Sequence, residues 1–445
     1  MNAPAPNAPR RTAAWRRRDI ALSYANAGLW GIGNGLVGSA LIIYFARSQG
    51  ASGLAIGLII ASPQLVGVLR LFAPVLQDRL GNRRLFCLTA FGASGLLLGC
   101  LPAVYLSRAL LDEGVLLAAL IVVWTLYHLT EFFGVVALWS WIADLVPAAV
   151  RGRYIGRRTA WMNAGRVLGT LLGIAVTAQP QWFGIDAATT GAKNDAYALC
   201  MVFGTLLVLA SVAPLAAMRE IASPTAVGQR SLDQRLREIL LPFRDRHFWR
   251  LLAYGGWFSF SNGVTSSAQY FYQIGVVKLD YWTFRTIDTS MKAAQTAVMP
   301  RVGRLIDRVG AVRPMLVCQA LVALGLACYL PATERRWWWI AVAYVLWIAY
   351  AGINVGMPHL MLRLAQPQFS AAYVAAWFAW TKLVYGLTSV VGGQLVDWLK
   401  TSFTPIAVQL GGGTEFILDH LSLLILIGVA LRLVSLLFLA RIRED

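Results

Sequence analysis

Long apolar runs alternate with short polar stretches along almost the whole chain. Six such runs begin near positions 19, 53, 84, 114, 158 and 197, and six more near 249, 281, 313, 336, 370 and 418. The runs are continuous rather than alternating in polarity, which predicts helices and not strands. A membrane-spanning helix needs about 20 apolar residues, and in lipid only helices or closed barrels satisfy every backbone group. The pattern therefore predicts helices at 19–45, 53–77, 84–107, 114–142, 158–179 and 197–218. The second six are predicted at 249–275, 281–303, 313–332, 336–363, 370–396 and 418–440. The expected fold class is an all-α polytopic membrane protein, with 12 transmembrane helices arranged as two pseudo-symmetric six-helix bundles. Residues 1–18 read as a basic tail, 19–218 as the N-terminal bundle, 219–248 as a linker, 249–440 as the C-terminal bundle and 441–445 as a second tail. In the linker, Leu232, Leu236 and Leu240 lie four residues apart, as on a short amphipathic helix resting on the membrane surface.

Composition strengthens this picture. Apolar residues make up 58% of the chain and charged residues 13%, whereas soluble domains carry roughly twice that charge content. The formal net charge of +18 would suggest nucleic acid in a soluble protein. Here the basic residues sit in alternate loops, so no nucleic acid partner is expected. With the N-terminus inside, the cytoplasmic segments hold 26 Lys and Arg residues and the external loops 8. By the positive-inside rule both termini are cytoplasmic, and the expected location is the plasma (cell inner) membrane. The five cysteines fall in apolar runs without paired spacing and read as core residues. No phosphate-cradling Gly-x-x-x-x-Gly-Lys loop, catalytic constellation or metal-ligand cluster is apparent. An enzyme is therefore not expected, nor a cofactor or a metal.

Two polar stretches repeat each other. The first is Pro74-Val-Leu-Gln-Asp78-Arg79-Leu-Gly81-Asn82-Arg83-Arg84, and the second Gly303-Arg-Leu-Ile-Asp307-Arg308-Val-Gly310-Ala311. Their aspartates are 229 residues apart, which marks a duplicated unit. A third stretch, Asp144-Leu-Val-Pro147-Ala-Ala-Val-Arg151-Gly152, lies between the fourth and fifth spans. The repeated stretch resembles the Asp-Arg-x-Gly loop that the major facilitator superfamily carries between helices two and three and, more degenerate, between eight and nine. The third is similar to the Asp/Glu-x-x-Pro-x-x-x-Arg-Gly loop of the same superfamily. Pro74 and Asn82 depart from the pattern in the first copy, and Ala311 and Val312 in the second. The resemblance implies a secondary transporter working by alternating access. It also implies that Asp78, Arg79, Gly81, Arg83, Asp144, Arg151, Gly303, Asp307, Arg308 and Gly310 form gating latches on the cytoplasmic side.

Charges inside the spans supply the candidate chemistry, because an ionisable group in lipid normally faces a cavity, a partner or an ion path. Arg70, Arg166, Lys292 and Lys382 are basic, and Glu131 and Asp288 acidic. They fall on spans two, four, five, eight and eleven, which in the superfamily face the central cavity. Arg70 and Arg166 each sit about 12 Å from the cytoplasmic end, at a helical rise of 1.5 Å per residue. Arg285, Asp288, Lys292 and Gln295 share one face of span eight, with Arg285 placed at the outer rim. Arg432 reads as a side chain that snorkels or pairs locally. Trp139, Trp141 and Trp337 to Trp339 read as interfacial belt residues. Gly165, Gly169 and Gly173 read as a close helix–helix contact. The expected substrate site comprises Asn34, Arg70, Arg166, Gln269, Asp288, Lys292 and Lys382, with Glu131 as proton carrier. The excess of basic groups leans the substrate toward a small anion. A neutral sugar is the alternative within the class, and a non-transporting receptor or assembly factor the alternative outside it. The expected partners are a small-molecule substrate, the lipid bilayer and a co-transported proton, with the chain acting as a monomer.

Overall fold

The computed structural model describes residues 13–69, 76, 82–107, 110–145, 151–186, 191–219, 240–365, 370–410 and 414–442. The twelve predicted spans are present as helices. The first bundle comprises α1 (Ala13–Leu36, continued after a break as Ser39–Ser48), α2 (Gly53–Leu69), α3 (Arg83–Leu106), α4 (Glu113–Leu145), α5 (Arg151–Ala178) and α6 (Ala192–Ala210, continued as Val212–Ala217). The second comprises α7 (Arg246–Phe271), α8 (Tyr281–Val309), α9 (Val312–Ala327), α10 (Trp338–Leu346, continued as Tyr350–Leu364), α11 (Ser370–Ser402) and α12 (His420–Ala440). Between α11 and α12, β1 (Ile406–Leu410) pairs antiparallel with β2 (Thr414–Leu418), with Val408 opposite Phe416. This hairpin falls where the apolar pattern predicts only a loop.

Six of the helices are long and apolar enough in themselves to cross a bilayer. The described parts of α2 and α9 are apolar but shorter. The remaining four, α5, α7, α8 and α11, are interrupted by polar and charged side chains. Such interruptions are tolerated where a helix faces protein or a cavity instead of lipid. Conversely, large apolar side chains such as Leu96 on α3, Leu206 on α6, Val317 on α9 and Leu437 on α12 are exposed, as lipid-facing surfaces require.

Helix ends follow local chemistry. Asn82 caps α3 by accepting from the Leu85 N–H at 2.7 Å, and Asp419 caps α12 by accepting from the Ser422 N–H at 2.8 Å. Asp245 caps α7 and also accepts from the Tyr373 hydroxyl at 2.6 Å. In each case a short polar side chain satisfies an otherwise orphaned backbone donor. Gly310 ends α8 with φ of 81°, a conformation that glycine reaches without Cβ strain. The turn to α9 therefore takes only Gly310 and Ala311, as the repeated polar stretch predicts.

For orientation, the end of the molecule bearing the α3–α6 and α8–α9 arginines is called the basic end, and the opposite one the far end. The described hydrogen bonds, ion pairs and ring contacts between the two bundles lie in the far half. Asp397 of α11 accepts from the Gly53 and Leu54 N–H groups at the start of α2, at 2.8 and 2.9 Å. Tyr44 of α1 donates to the Leu279 carbonyl and packs on Tyr281 and Phe284. Lys193 pairs with Asp280 at 3.1 Å, and the Arg47 guanidinium lies 4.5 Å from the Phe271 ring centre.

Several sequence expectations change. Trp141 is buried and donates to the Arg219 carbonyl, so it is a core residue and not part of an interfacial belt, whereas Trp337 and Trp338 are exposed. Arg432 does not snorkel. It is 2% exposed, donates to Asn262 Oδ1 at 2.9 Å and lies 5.9 Å from the Trp347 ring centre. Arg158, at the predicted start of the fifth span, is also buried and donates to Asn26 Oδ1 at 3.0 Å. Each bundle thus holds an arginine against an asparagine of its first helix. The five cysteines are free thiols. The predicted linker helix falls mostly on 220–239, outside the described residues.

Candidate functional site

A cavity of about 540 Å³ lies between the bundles. Its N-terminal wall is formed by Asn34 and Gly38 of α1 with Asn163, Arg166 and Thr170 of α5. Its C-terminal wall is formed chiefly by Arg285, Asp288, Lys292 and Gln295 of α8, with Tyr270 and Tyr344 from α7 and α10.

The position of the N-terminal wall follows from glycine spacing. A Cβ at Gly165 would strike the Gly28 carbonyl, and one at Gly169 the Ile32 carbonyl. Across the interface, a Cβ at Gly31 would strike the Met162 carbonyl and one at Gly35 the Arg166 carbonyl. The two backbones therefore touch, as small residues at four-residue spacing allow. Gly173 contributes less, since a Cβ there would make only ordinary contact with Leu36. With the glycines turned to α1, residues 163, 166 and 170, related by i, i+3 and i+7, turn to the cavity. Arg166 lies 4.9 Å from the Trp30 ring centre, a cation–π arrangement. Its Nε is buried without a hydrogen-bond partner among the described residues.

On the opposite wall, helical spacing gathers three charges. Asp288 Oδ2 accepts from Lys292 Nζ at 2.8 Å and from Arg285 Nη1 at 3.3 Å. Arg285 and Asp288 are nearly covered, with side chains 11% and 12% exposed, whereas that of Lys292 is 61% exposed. Arg285 also crosses between the bundles to donate to Thr170 Oγ1 at 2.8 Å. Arg285 is therefore a wall residue, more deeply set than the outer-rim position expected for it. The four charges on the wall sum to +2, since only Asp288 opposes Arg166, Arg285 and Lys292. In a cavity with low-dielectric walls such an excess attracts anions.

Glu131 lies on α4 of the N-terminal bundle and is not among the residues lining the cavity. It is buried and bonded to His128 Nδ1 at 3.1 Å, and Arg166 lies within its electrostatic reach. His128 is packed edge-on against Trp124, with its Nε2 unpartnered among the described residues.

The structure brings together four of the seven expected substrate-site residues: Asn34, Arg166, Asp288 and Lys292. Gln269 is half-buried and donates to Thr265 of its own helix, and it is not among the residues forming the cavity wall. Lys382 is exposed on α11 and likewise lies off that wall. Arg70 falls outside the described residues. So do Asp78, Arg79 and Gly81 of the expected latches, and the side chains of Arg83, Asp144, Arg151 and Asp307. Of the second repeat, Arg308 is exposed in the last turn of α8, and Gly303 faces Val355 of α10 at ordinary contact distance. Sequence reasoning missed Asn163, Thr170 and Tyr344. The first two stand at i−3 and i+4 from Arg166, a signal that helical spacing could have supplied.

The model of the Major Facilitator Superfamily matches residues 25–389. No curated protein sequence matches the chain significantly. Among solved structures, a mutant of the nucleoside transporter NupG aligns over 96% of this chain and 99% of its own, with a TM-score of 0.69 and 11% identity. A bacterial homologue of the human lysosomal transporter Spinster, inward-facing and occupied, aligns over 97% of each chain with a TM-score of 0.68 and 15% identity. The xylose transporter XylE from E. coli, in an inward-open conformation, aligns over 95% of each chain with a TM-score of 0.63 and 12% identity. At these identities the likeness is one of fold.

Proposed function

We infer that this chain, which belongs to the Major Facilitator Superfamily, is a secondary active transporter of a small anionic metabolite. Membership makes it an integral multi-pass membrane protein with a transporter fold and not an enzyme. The finer reading is carried by one observation: two cationic side chains, Arg166 and Lys292, reach into one cavity from opposite bundles, and Arg166 has no carboxylate within ion-pair distance among the described residues. A carboxylate or phosphate placed between them gains two charge-assisted hydrogen bonds. Such a ligand ties the bundles together across the surface along which alternating access separates them.

The far-end contacts support an inward-facing state, with the basic end on the cytoplasmic side of the inner membrane and both termini there. Coupling to protons follows from Glu131. A buried carboxyl within reach of Arg166 can hold either a proton or an ion pair, and the two alternatives bias the arginine away from or toward itself. The latch role of Asp78, Arg79, Gly81, Arg83, Asp144, Arg151, Gly303, Asp307, Arg308 and Gly310 belongs to the same reading. They would close the cytoplasmic side when the far end opens, and the chain would act as a monomer. The amides of Asn34, Asn163 and Gln295 on the wall favour a neutral sugar as second reading. A non-transporting receptor on this scaffold would have no use for cavity charges that are costly to bury.

Uptake into proteoliposomes tests the proposal. An inwardly directed proton gradient should drive accumulation of a radiolabelled small carboxylate or phosphate ester, and Arg166→Gln should abolish it. Accumulation of neutral sugars alone would refute the anion reading.

A further inference from the structure

The geometry points to Arg285 as a positioning residue that couples occupancy of the cavity to closure of the far end. The inference rests on the transporter reading above, although its test does not require the substrate. Arg285 makes two directional bonds. Nη1 donates to Asp288 on its own helix and Nη2 donates to Thr170 on the opposite bundle. The second is a part-buried bond between bundles on the α5–α8 side, opposite the edge where Asp397 holds α2 to α11. Its acceptor is rigidly placed, because a Cβ at Gly35 would already meet the Thr170 backbone nitrogen, and Thr170 itself is 5% exposed. The hydroxyl therefore cannot follow the guanidinium if α8 moves.

The link to occupancy is Asp288. One of its carboxylate oxygens, Oδ2, serves both Lys292 and Arg285. The longer bond, at 3.3 Å, is the one to Arg285. Lys292 is the exposed member of the triad and the one that a ligand in the cavity meets first. When an anionic ligand takes the Lys292 ammonium, Asp288 is left wholly to Arg285. The guanidinium is then held by its carboxylate in the geometry that also reaches Thr170. Filling the cavity thus strengthens a contact that exists only while the far end is shut. An anion also cancels charge of like sign on the two walls, which lowers the cost of bringing Arg166 and the triad together.

Hydrogen–deuterium exchange of the full chain in lipid nanodiscs tests this without any ligand. Two sets of segments are read: 37–56 and 277–286 at the far end, and 151–158 and 299–315 at the basic end. Thr170→Val should speed far-end exchange about three- to fivefold, the factor that one such hydrogen bond supplies. The same variant should slow exchange at the basic end, because opening one side closes the other. Thr170→Ser, which keeps the hydroxyl, should behave as the parent protein. Asp288→Asn should follow Thr170→Val, whereas Lys292→Gln, which releases Asp288 to Arg285, should shift both ends in the opposite sense. Faster exchange at both ends in Thr170→Val would show a packing role only and overturn the inference. So would an unchanged pattern, or a Lys292→Gln that moves with Thr170→Val. Failure of anion uptake would leave the exchange pattern standing, so the two readings fail separately.

Discussion

Single side chains carry the chemistry, and two of them do so at a cost. Arg432 and Arg158 are buried in lipid-embedded bundles, and each guanidinium donates a hydrogen bond to an asparagine oxygen. For Arg432, the Nε and Nη1 groups have no hydrogen-bond partner among the described residues, so the hydrogen bond to Asn262, beside the Trp347 ring, offsets the burial. Asn262→Leu should therefore destabilise the protein by about 3 kcal/mol, the penalty for stripping a buried charge of its acceptor. Adding Arg432→Met should recover much of that loss, because it removes the buried charge, while the Tyr350 hydroxyl, which donates to Asn262 Oδ1 at 3.1 Å, stays without that acceptor. Thermal melting of the two variants reads both effects, and equal melting temperatures would remove the assignment. Glu131 belongs to the same scale. Glu131→Gln should abolish accumulation driven by a proton gradient while sparing exchange of labelled for unlabelled substrate, since only the former needs a carboxyl that changes its proton. Loss of both in proteoliposomes would make Glu131 a packing residue.

At the scale of elements, the positions of the twelve helices were legible in the apolar runs to within a few residues at most ends. The reason is physical: lipid punishes polarity so strongly that span and loop differ in composition. The hairpin at Ile406–Leu410 and Thr414–Leu418 was not legible, because two five-residue strands outside the bilayer leave only a short signal. The glycine contact between α1 and α5 could be read in α5, but its partners Gly31 and Gly35 could not be picked out among so many glycines. That contact makes a sharp prediction. Gly169→Ala drives a methyl into the Ile32 carbonyl and should cost about 1–3 kcal/mol, the usual penalty for overpacking, whereas Gly173→Ala should be tolerated. Similar melting temperatures for the two would contradict the packing account. On the other side of the molecule, Asp397 stabilises the start of α2 through two backbone donors and the favourable charge at a helix N-terminus. In an Ala51→Cys background, Asp397→Asn should make the buried residue 51 react faster with a membrane-impermeant maleimide. An unchanged rate would remove Asp397 from the closure of the far end.

For the whole molecule, the duplicated Asp-Arg-x-Gly stretch correctly announced two fused six-helix units. The cavity between them was only partly legible. Arg166, Asp288 and Lys292 stood out because charge is rare in lipid, but depth within a helix does not say which neighbour a side chain meets. Thr170 and Asn163 carry no charge and so raised no flag, although they flank Arg166 on the same wall. Lys382 had the charge and the right helix, yet lies off the wall, since a helix presents several faces and only one adjoins the cavity. What unites the site is the positive excess on two walls that belong to different bundles. The most direct test is thermal melting of the purified protein against a panel of small carboxylates, phosphate esters and neutral sugars at pH 6 and pH 8. An anion at 100 times its dissociation constant should stabilise the protein by about 2.7 kcal/mol. The account predicts that anions raise the melting temperature of the parent protein and leave that of Arg166→Gln unmoved. A shift with neutral sugars alone, or an anion shift that survives Arg166→Gln, would contradict it.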